Sequence, residues 1–306
     1  MKVLYFSPTG NTKKTSIFIS KSIRKKLGCA SQFLQTVEAI DFTSINVRKS
    51  ESHLRNISTF FSSEDIVIIG LPVYAGRIPN VLLKYLKQYV GSGAHLIIVL
   101  TYGNRHYDDA AKEAYQIFSN CGFDVFAVIC VVGEHSFSNI LAKDKPNQLD
   151  FIILEDVADL LVRCIKKNKE KNIVKSVSTI EEYIEHMDIF TDQILIKNIE
   201  GLKTEVPLKP YFQPLDKNGY PFNFIGIKPI TDQNCTACGL CASICPMGAI
   251  KKDAFDTVNG PCLKCCACVK RCPVNAKSFV DENFIKHRLE LEEAYSENIR
   301  KTELYI

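Results

Sequence analysis

Nine of the 13 cysteines in this 306-residue chain fall within residues 235–272. They form two runs, "CTACGLCASICP" and "CLKCCACVKRCP", and both obey C-x2-C-x2-C-x3-C-P. In this arrangement three closely spaced thiolates take one [4Fe-4S] cube, and the fourth, followed by proline, crosses to a second cube. The spacing therefore assigns Cys235, Cys238, Cys241 and Cys272 to one cluster and Cys262, Cys265, Cys268 and Cys245 to the other. Zinc is the competing chemistry, but it pairs C-x2-4-C units across a longer loop and has no use for a triplet with a crossing Cys-Pro. Cys266 breaks the spacing and reads as a non-ligand lining the cluster, with a ligand role in a shifted register as the alternative. Cys29, Cys121, Cys130 and Cys164 are scattered in or beside apolar segments and read as small buried thiols.

A second stretch able to do chemistry is "FSPTGNTKKT", residues 6–15. It follows an apolar run and precedes a helical pattern, which is where a phosphate loop belongs. The spacing is neither that of a nucleoside-triphosphate loop nor that of a dinucleotide loop. What it offers is Ser7, Thr9, Gly10, Asn11 and Thr12: neutral hydroxyls, an amide and backbone N–H donors at a helix N-terminus, enough to hold an anion by dipole and hydrogen bonds.

The elements around these motifs differ between the two halves of the chain. Through residues 1–170, apolar runs at 3–6, 66–71, 96–101 and 125–132 alternate with helical patterns at 12–27, 78–90, 108–121 and 149–167. A weaker strand at 31–37 and a helix at 51–61 complete five βα units, which predicts an α/β doubly wound parallel sheet in the order 2-1-3-4-5. Residues 171–225 read as a connector: a helix from about Ser178 to a stop at Gly201, then a proline- and aromatic-rich extended segment that docks one half on the other. Residues 226–280 hold the cysteine runs in a small α+β unit, and 281–306 read as a packing helix.

Composition bounds the function. Apolar residues make up 46% and charged residues 24%, as in an ordinary soluble protein. No run of about 18 apolar residues and no leader pattern is visible, so no membrane contact and a cytoplasmic location are expected. The formal charge of +4 is spread along the chain, and eight thiolates around two oxidised cores cancel it, which argues against nucleic acid.

Residues 226–280 resemble a bacterial two-cluster ferredoxin at all eight ligand positions. "SPTGNT" resembles the flavodoxin phosphate loop, which implies that the anion is the phosphate of FMN. The loops after the third and fourth strands, "PVYAGRIPN" and "YGNRHYDD", resemble the two flavin-flanking loops of that fold. The resemblance implies a flavin site at Pro72, Val73, Tyr74, Ala75 and Gly76 and at Tyr102, Gly103, Asn104, Arg105 and Tyr107. Tyr74, Tyr102 and Tyr107 would stack on the ring, and Gly76 and Gly103 would allow close backbone approach. Arg77 and Arg105 either face the flavin's electron-rich edge or are solvated, and His106 is a candidate proton donor.

The whole chain resembles the flavodoxin-ferredoxin fusion proteins known as EFR-type ferredoxins. That resemblance implies an electron-transfer oxidoreductase with FMN and two [4Fe-4S] clusters, served by a redox partner protein (a ferredoxin or an oxidoreductase) or by a small-molecule acceptor. Two other functions fit the same residues: a flavoenzyme that reduces a dedicated small substrate, and a redox-sensing interaction module. A ligand pocket beside the flavin favours the flavoenzyme, and an exposed flavin edge favours the carrier.

Overall fold

The computed structural model describes residues 1–28, 38–51, 60–171 and 193–306. The sheet is built from β1 (Lys2–Tyr5), β2 (Glu38–Asp41), β3 (Ile66–Pro72), β4 (His95–Tyr102) and β5 (Asp124–Val132), together with β6 (Ile194–Lys197) and the C-terminal β9 (Thr302–Tyr305). Strands β3, β4 and β5 are near-continuous runs of branched apolar residues, the composition of strands covered on both faces. Period-two alternation divides them between two cores. Leu4, Phe6, Ile69 and Leu71 pack on one side under α3 (Asn80–Leu86) and α4 (Ala110–Asn120). Val3, Tyr5, Ile68 and Val99 pack on the other under α1 (Asn11–Lys26) and α5 (Gln148–Lys171).

The order across the sheet is β2-β1-β3-β4-β5-β9-β6. The first five strands are parallel in the expected 2-1-3-4-5 order, the flavodoxin-like winding. Two strands from beyond residue 171 extend it. Strand β9 runs antiparallel to β5, with Ile129 opposite Leu304, and β6 runs parallel to β9. This corrects two expectations. Ile194, within the span expected to be a connecting helix, lies in β6, and a 3-10 turn at Ile199–Leu202 stands where that helix is expected to stop. Beyond α8 (Glu282–Tyr295) the chain returns to the sheet as a strand. Most of the expected connecting helix, the strand at 31–37 and most of the helix at 51–61 fall outside the described residues; β2 follows at Glu38–Asp41, and a short α2 (Ile45–Lys49) was not anticipated.

The cysteine region is a small unit with β7 (Ile230–Thr231) antiparallel to β8 (Lys277–Ser278) and two one-turn helices, α6 (Leu240–Ser243) and α7 (Ala267–Lys270). Residues 206–229 run along the carboxyl edge of the large sheet with no helix but a 3-10 turn at Phe224–Gly226. Tyr211 donates from its hydroxyl to the Ile78 carbonyl (2.7 Å), and the Phe212 amide donates to the Ala75 carbonyl (2.9 Å).

The helix bearing the phosphate loop sits close to the sheet because of Gly70. A Cβ there would lie 2.1 Å from the Ser16 hydroxyl oxygen, which is buried and has no hydrogen-bond partner. Gly70→Ala is expected to cost about 1–3 kcal/mol through overpacking. Adding Ser16→Ala should recover most of that loss in urea unfolding; an undiminished loss in the double variant would contradict the close approach.

Candidate functional site

The carboxyl ends of β1, β3, β4 and β5 enclose a cavity of about 250 Å³. Its floor at one end is the loop between β1 and α1, where Thr9, Asn11 and Thr12 line it and Gly10 turns the chain into α1 at φ +104°. The Ser7 hydroxyl accepts the Lys13 amide (2.9 Å) and its own amide donates to Thr43, so Ser7 shapes the loop from behind. Among the described residues no hydrogen bond is donated by the amides of Thr9, Gly10, Asn11 or Thr12. The first turn of α1 carries no acidic residue. Four free N–H groups at a helix start form a cradle for an anion.

The end of β3 contributes Pro72, and the loop after it Val73, Tyr74 and Ala75. Tyr74 and Arg77 exchange both backbone hydrogen bonds, which closes a two-residue turn with Ala75 and Gly76 left-handed. Gly76 does not line the cavity; a Cβ there would lie 2.0 Å from the Asp108 carboxylate. From β4 come Tyr102, Gly103 and Arg105, and Gly103 is needed because a Cβ would reach His135 at 2.2 Å.

Several residues expected at the site have other partners. Asn104 is fully buried, donates to the carbonyls of Tyr295 (2.7 Å) and Asn298 (2.9 Å) and accepts the Arg300 amide (2.8 Å). It ties the turn between α8 and β9 to the sheet. Tyr107 is 2% exposed, and its hydroxyl donates to Glu303 and meets Tyr305 at 2.8 Å. Arg77 forms a bidentate pair with Glu113 at 2.7 and 2.9 Å under the Tyr211 ring, neither in the cavity nor solvated. His106 accepts the Asp108 amide on Nδ1 and stacks on Tyr107, away from the cavity.

The roof was not anticipated in detail. Phe137, Phe212, Pro214, Phe224, His135 and His287 cover the cavity, and Leu263 and Lys264 from the second cysteine run complete the wall. The Arg105 guanidinium lies 4.3 Å from the Phe212 ring centre. Burial, then the neighbouring His287 and the positive charge of Lys270 and Arg105, push His135 down to about 3, and burial pushes His287 down to about 4. Both rings are neutral at physiological pH.

The cysteines ring two further cavities. Cys235, Cys238, Cys241 and Cys272 line one; Cys245, Cys262, Cys265 and Cys266 line the other, and Cys268 borders both. Among the described residues no three metal-binding side chains converge tightly enough for a single ion. Side chains ringing a void suit a cluster of several atoms instead. Burial pushes the Cys268 thiol up to about 12 and raises Cys265 as well, so these sulfurs become thiolates only with positive charge placed among them.

The two runs repeat at the backbone. Left-handed residues recur in register: Ala237 with Lys264, Gly239 with Cys266, and Gly248 with Asn275. The Ala249 amide donates to Cys245 Sγ (3.3 Å), as Ala276 does to Cys272 Sγ (3.2 Å). Cys266 thus occupies, at φ +56°, the place that Gly239 holds in the first run.

The cysteine unit is fixed to the sheet. The buried Arg48 guanidinium donates to the Pro246 carbonyl (2.6 Å), and Lys270 donates to Glu134 (2.5 Å), Asn139 (2.9 Å) and the Ser138 carbonyl. Burial raises the Tyr74 phenol well above its usual range, and Cys265 and Cys266 stand near enough to add to the effect.

Residues 229–251 match the 4Fe-4S binding domain family. No curated protein matches the chain in sequence. Among solved structures it is similar to the Flv1 flavodiiron core of Synechocystis sp. PCC6803, with 18% identity over 54% of this chain and 36% of that one, at a TM-score of 0.37. A flavodoxin of Streptococcus pneumonia TIGR4 shares 17% identity over 53% and 97% of the two chains, at 0.35. Flavodoxin 1 of Bacillus cereus shares 15% over 53% and 96%, at 0.37. Among the described residues no helix is long and apolar enough to cross a membrane.

The neutral histidines carry a prediction for stability. The unfolded chain protonates them near pH 6.5, and the folded chain refuses those protons until about pH 4 and 3. Their contribution is therefore complete above about pH 6.5 and is lost as pH falls toward 4. Replacing His135 by Asn and His287 by Gln should flatten that part of the dependence of the urea midpoint on pH; an unchanged slope would contradict neutral burial.

Proposed function

We propose that the chain is an electron-transfer oxidoreductase that binds FMN in the roofed cavity and two [4Fe-4S] clusters in the cysteine cavities, and passes single electrons between them. The observation that carries this reading is the shared wall: Leu263, between cluster-ligating cysteines, lines both the flavin cavity and the second cysteine cavity, and Lys264 beside it lines the flavin cavity. When bound, FMN supplies the conversion between one-electron and two-electron transfer.

The phosphate lies in this reading against the free amides of residues 9–12 with the hydroxyls of Thr9 and Thr12, and the ring lies among Tyr74, Tyr102 and Arg105. The cluster of Cys245, Cys262, Cys265 and Cys268 is the inner one, next to Tyr74. The cluster of Cys235, Cys238, Cys241 and Cys272 is the outer one, supported by the exposure of Cys238, and there a partner protein exchanges electrons. The backbone repeat supports this register of eight ligands and leaves Cys266 out of it. The aromatic roof favours a second reading as well, reduction of a small acceptor at the flavin, because an open carrier has no need to cover its ring.

Two compositional tests follow. Thr9→Ala with Thr12→Ala should weaken FMN retention, each lost bond to the phosphate being worth about 1.5–3 kcal/mol. Cys245→Ala should remove about half of the iron from anaerobically isolated protein, while Cys266→Gly keeps all of it. Extraction of FAD or of no flavin, or iron loss in the Cys266 variant with none in Cys268→Ala, would overturn the assignments.

A further inference from the structure

His287 is 7% exposed and lines the cavity. Its ring is held between Phe212, nearly parallel at 5.8 Å, and Phe224 at 5.6 Å, with Phe137 at 6.4 Å. Among the described residues no hydrogen bond reaches either of its ring nitrogens; the Glu290 carboxylate stands 3.9 Å from Nδ1. The ring lines the void with its nitrogens free of hydrogen bonds, so a group that enters the void can meet them.

The other charged groups near it are already engaged. Arg105 is paired with Asp108, Lys270 with Glu134, and Lys286 with Glu290. Lys264 donates to the carbonyls of Ile225 and Cys262, and Glu292 accepts from Ser138. His135 accepts the Phe137 amide on Nδ1 (3.1 Å), which fixes its proton on Nε2 and its role as a donor.

We propose that His287 is the proton acceptor of the flavin cavity: its ring stays neutral beside a neutral occupant and takes a proton from water when electrons from the clusters place negative charge there. This rests on the FMN reading. For each pair of electrons delivered by a low-potential iron–sulfur donor, one proton is bound by the reduced flavin. A second forms an N–H bond on His287, so the enclosed charge does not change. An opposite charge within about 4–6 Å raises a pKa by about 1–3 units. That raises His287 from about 4 to about 5–7 and leaves His135, starting at about 3, the less basic of the two.

The test is proton uptake per flavin during anaerobic photoreduction of the FMN- and cluster-loaded chain, followed with an indicator dye in weak buffer. At pH 6.5 the wild-type chain should take up a fraction of a proton more per flavin than His287→Gln, at pH 8.5 the two should agree, and His135→Asn should behave as wild type. His287→Asn serves if the longer amide is not accommodated. Equal uptake at pH 6.5 in variants that retain and fully reduce FMN would overturn the proposal, as would a loss in His135→Asn alone. Failure of the wild-type chain to hold FMN would instead contradict the reading of the cavity.

Discussion

A buried guanidinium sets the spacing between the two chemical halves of this molecule. Arg48 is fully enclosed, and burial lowers its pKa, yet it remains charged and donates to the carbonyls of Phe42, Thr43 and Pro246. Burying such a charge costs several kcal/mol unless its donors are satisfied; the Nη donors are, with the Pro246 carbonyl among their acceptors, while Nε has no hydrogen-bond partner among the described residues. Pro246 follows Cys245, which lines one cysteine cavity together with Cys262, Cys265 and Cys266 of the second run. Leu263 and Lys264 of that second run form one wall of the cavity over the sheet. Lys270 makes a second attachment on the opposite side through Glu134, which pairs with it, and Ser138.

The same economy governs the far edge of the sheet. Asn104 spends every side-chain hydrogen bond on the turn that leads into β9, and Tyr107 spends its hydroxyl on Glu303 and Tyr305 of that strand. Both residues follow β4, where a flavin-flanking loop was expected, and both instead anchor the C-terminus beside β5. That anchoring also brings α8, and with it His287, over the cavity.

What the sequence made legible is what has a strong period or a fixed spacing. Strands β3 to β5 announce themselves because burial on both faces demands unbroken apolar runs, and the cysteines do so because a cube accepts few spacings. Strands β6 and β9 hid because "ILIK" and "TELY" are four residues long and mix charge with apolar groups. The roof hid for a different reason. His135 and His287 belong to no motif and meet only through packing of segments 150 residues apart, and the proline-rich connector gave its aromatics but not their targets. Cys266 looked like a disturbance of spacing; the left-handed backbone it shares with Gly239 makes it part of the repeat.

The central claim is that one fixed electron path joins the outer cysteine cavity, the inner one and the roofed cavity. Its most direct test is stopped-flow reduction of the loaded chain by a reduced ferredoxin, too large to reach beneath the roof, compared with the same experiment on a Cys272→Ala variant that keeps its FMN. The account predicts rapid flavin reduction in the intact chain and slow reduction in the variant, with a small chemical reductant acting on both alike. Equal rates with ferredoxin in the two proteins would mean that the halves act independently, and the path would have to be abandoned.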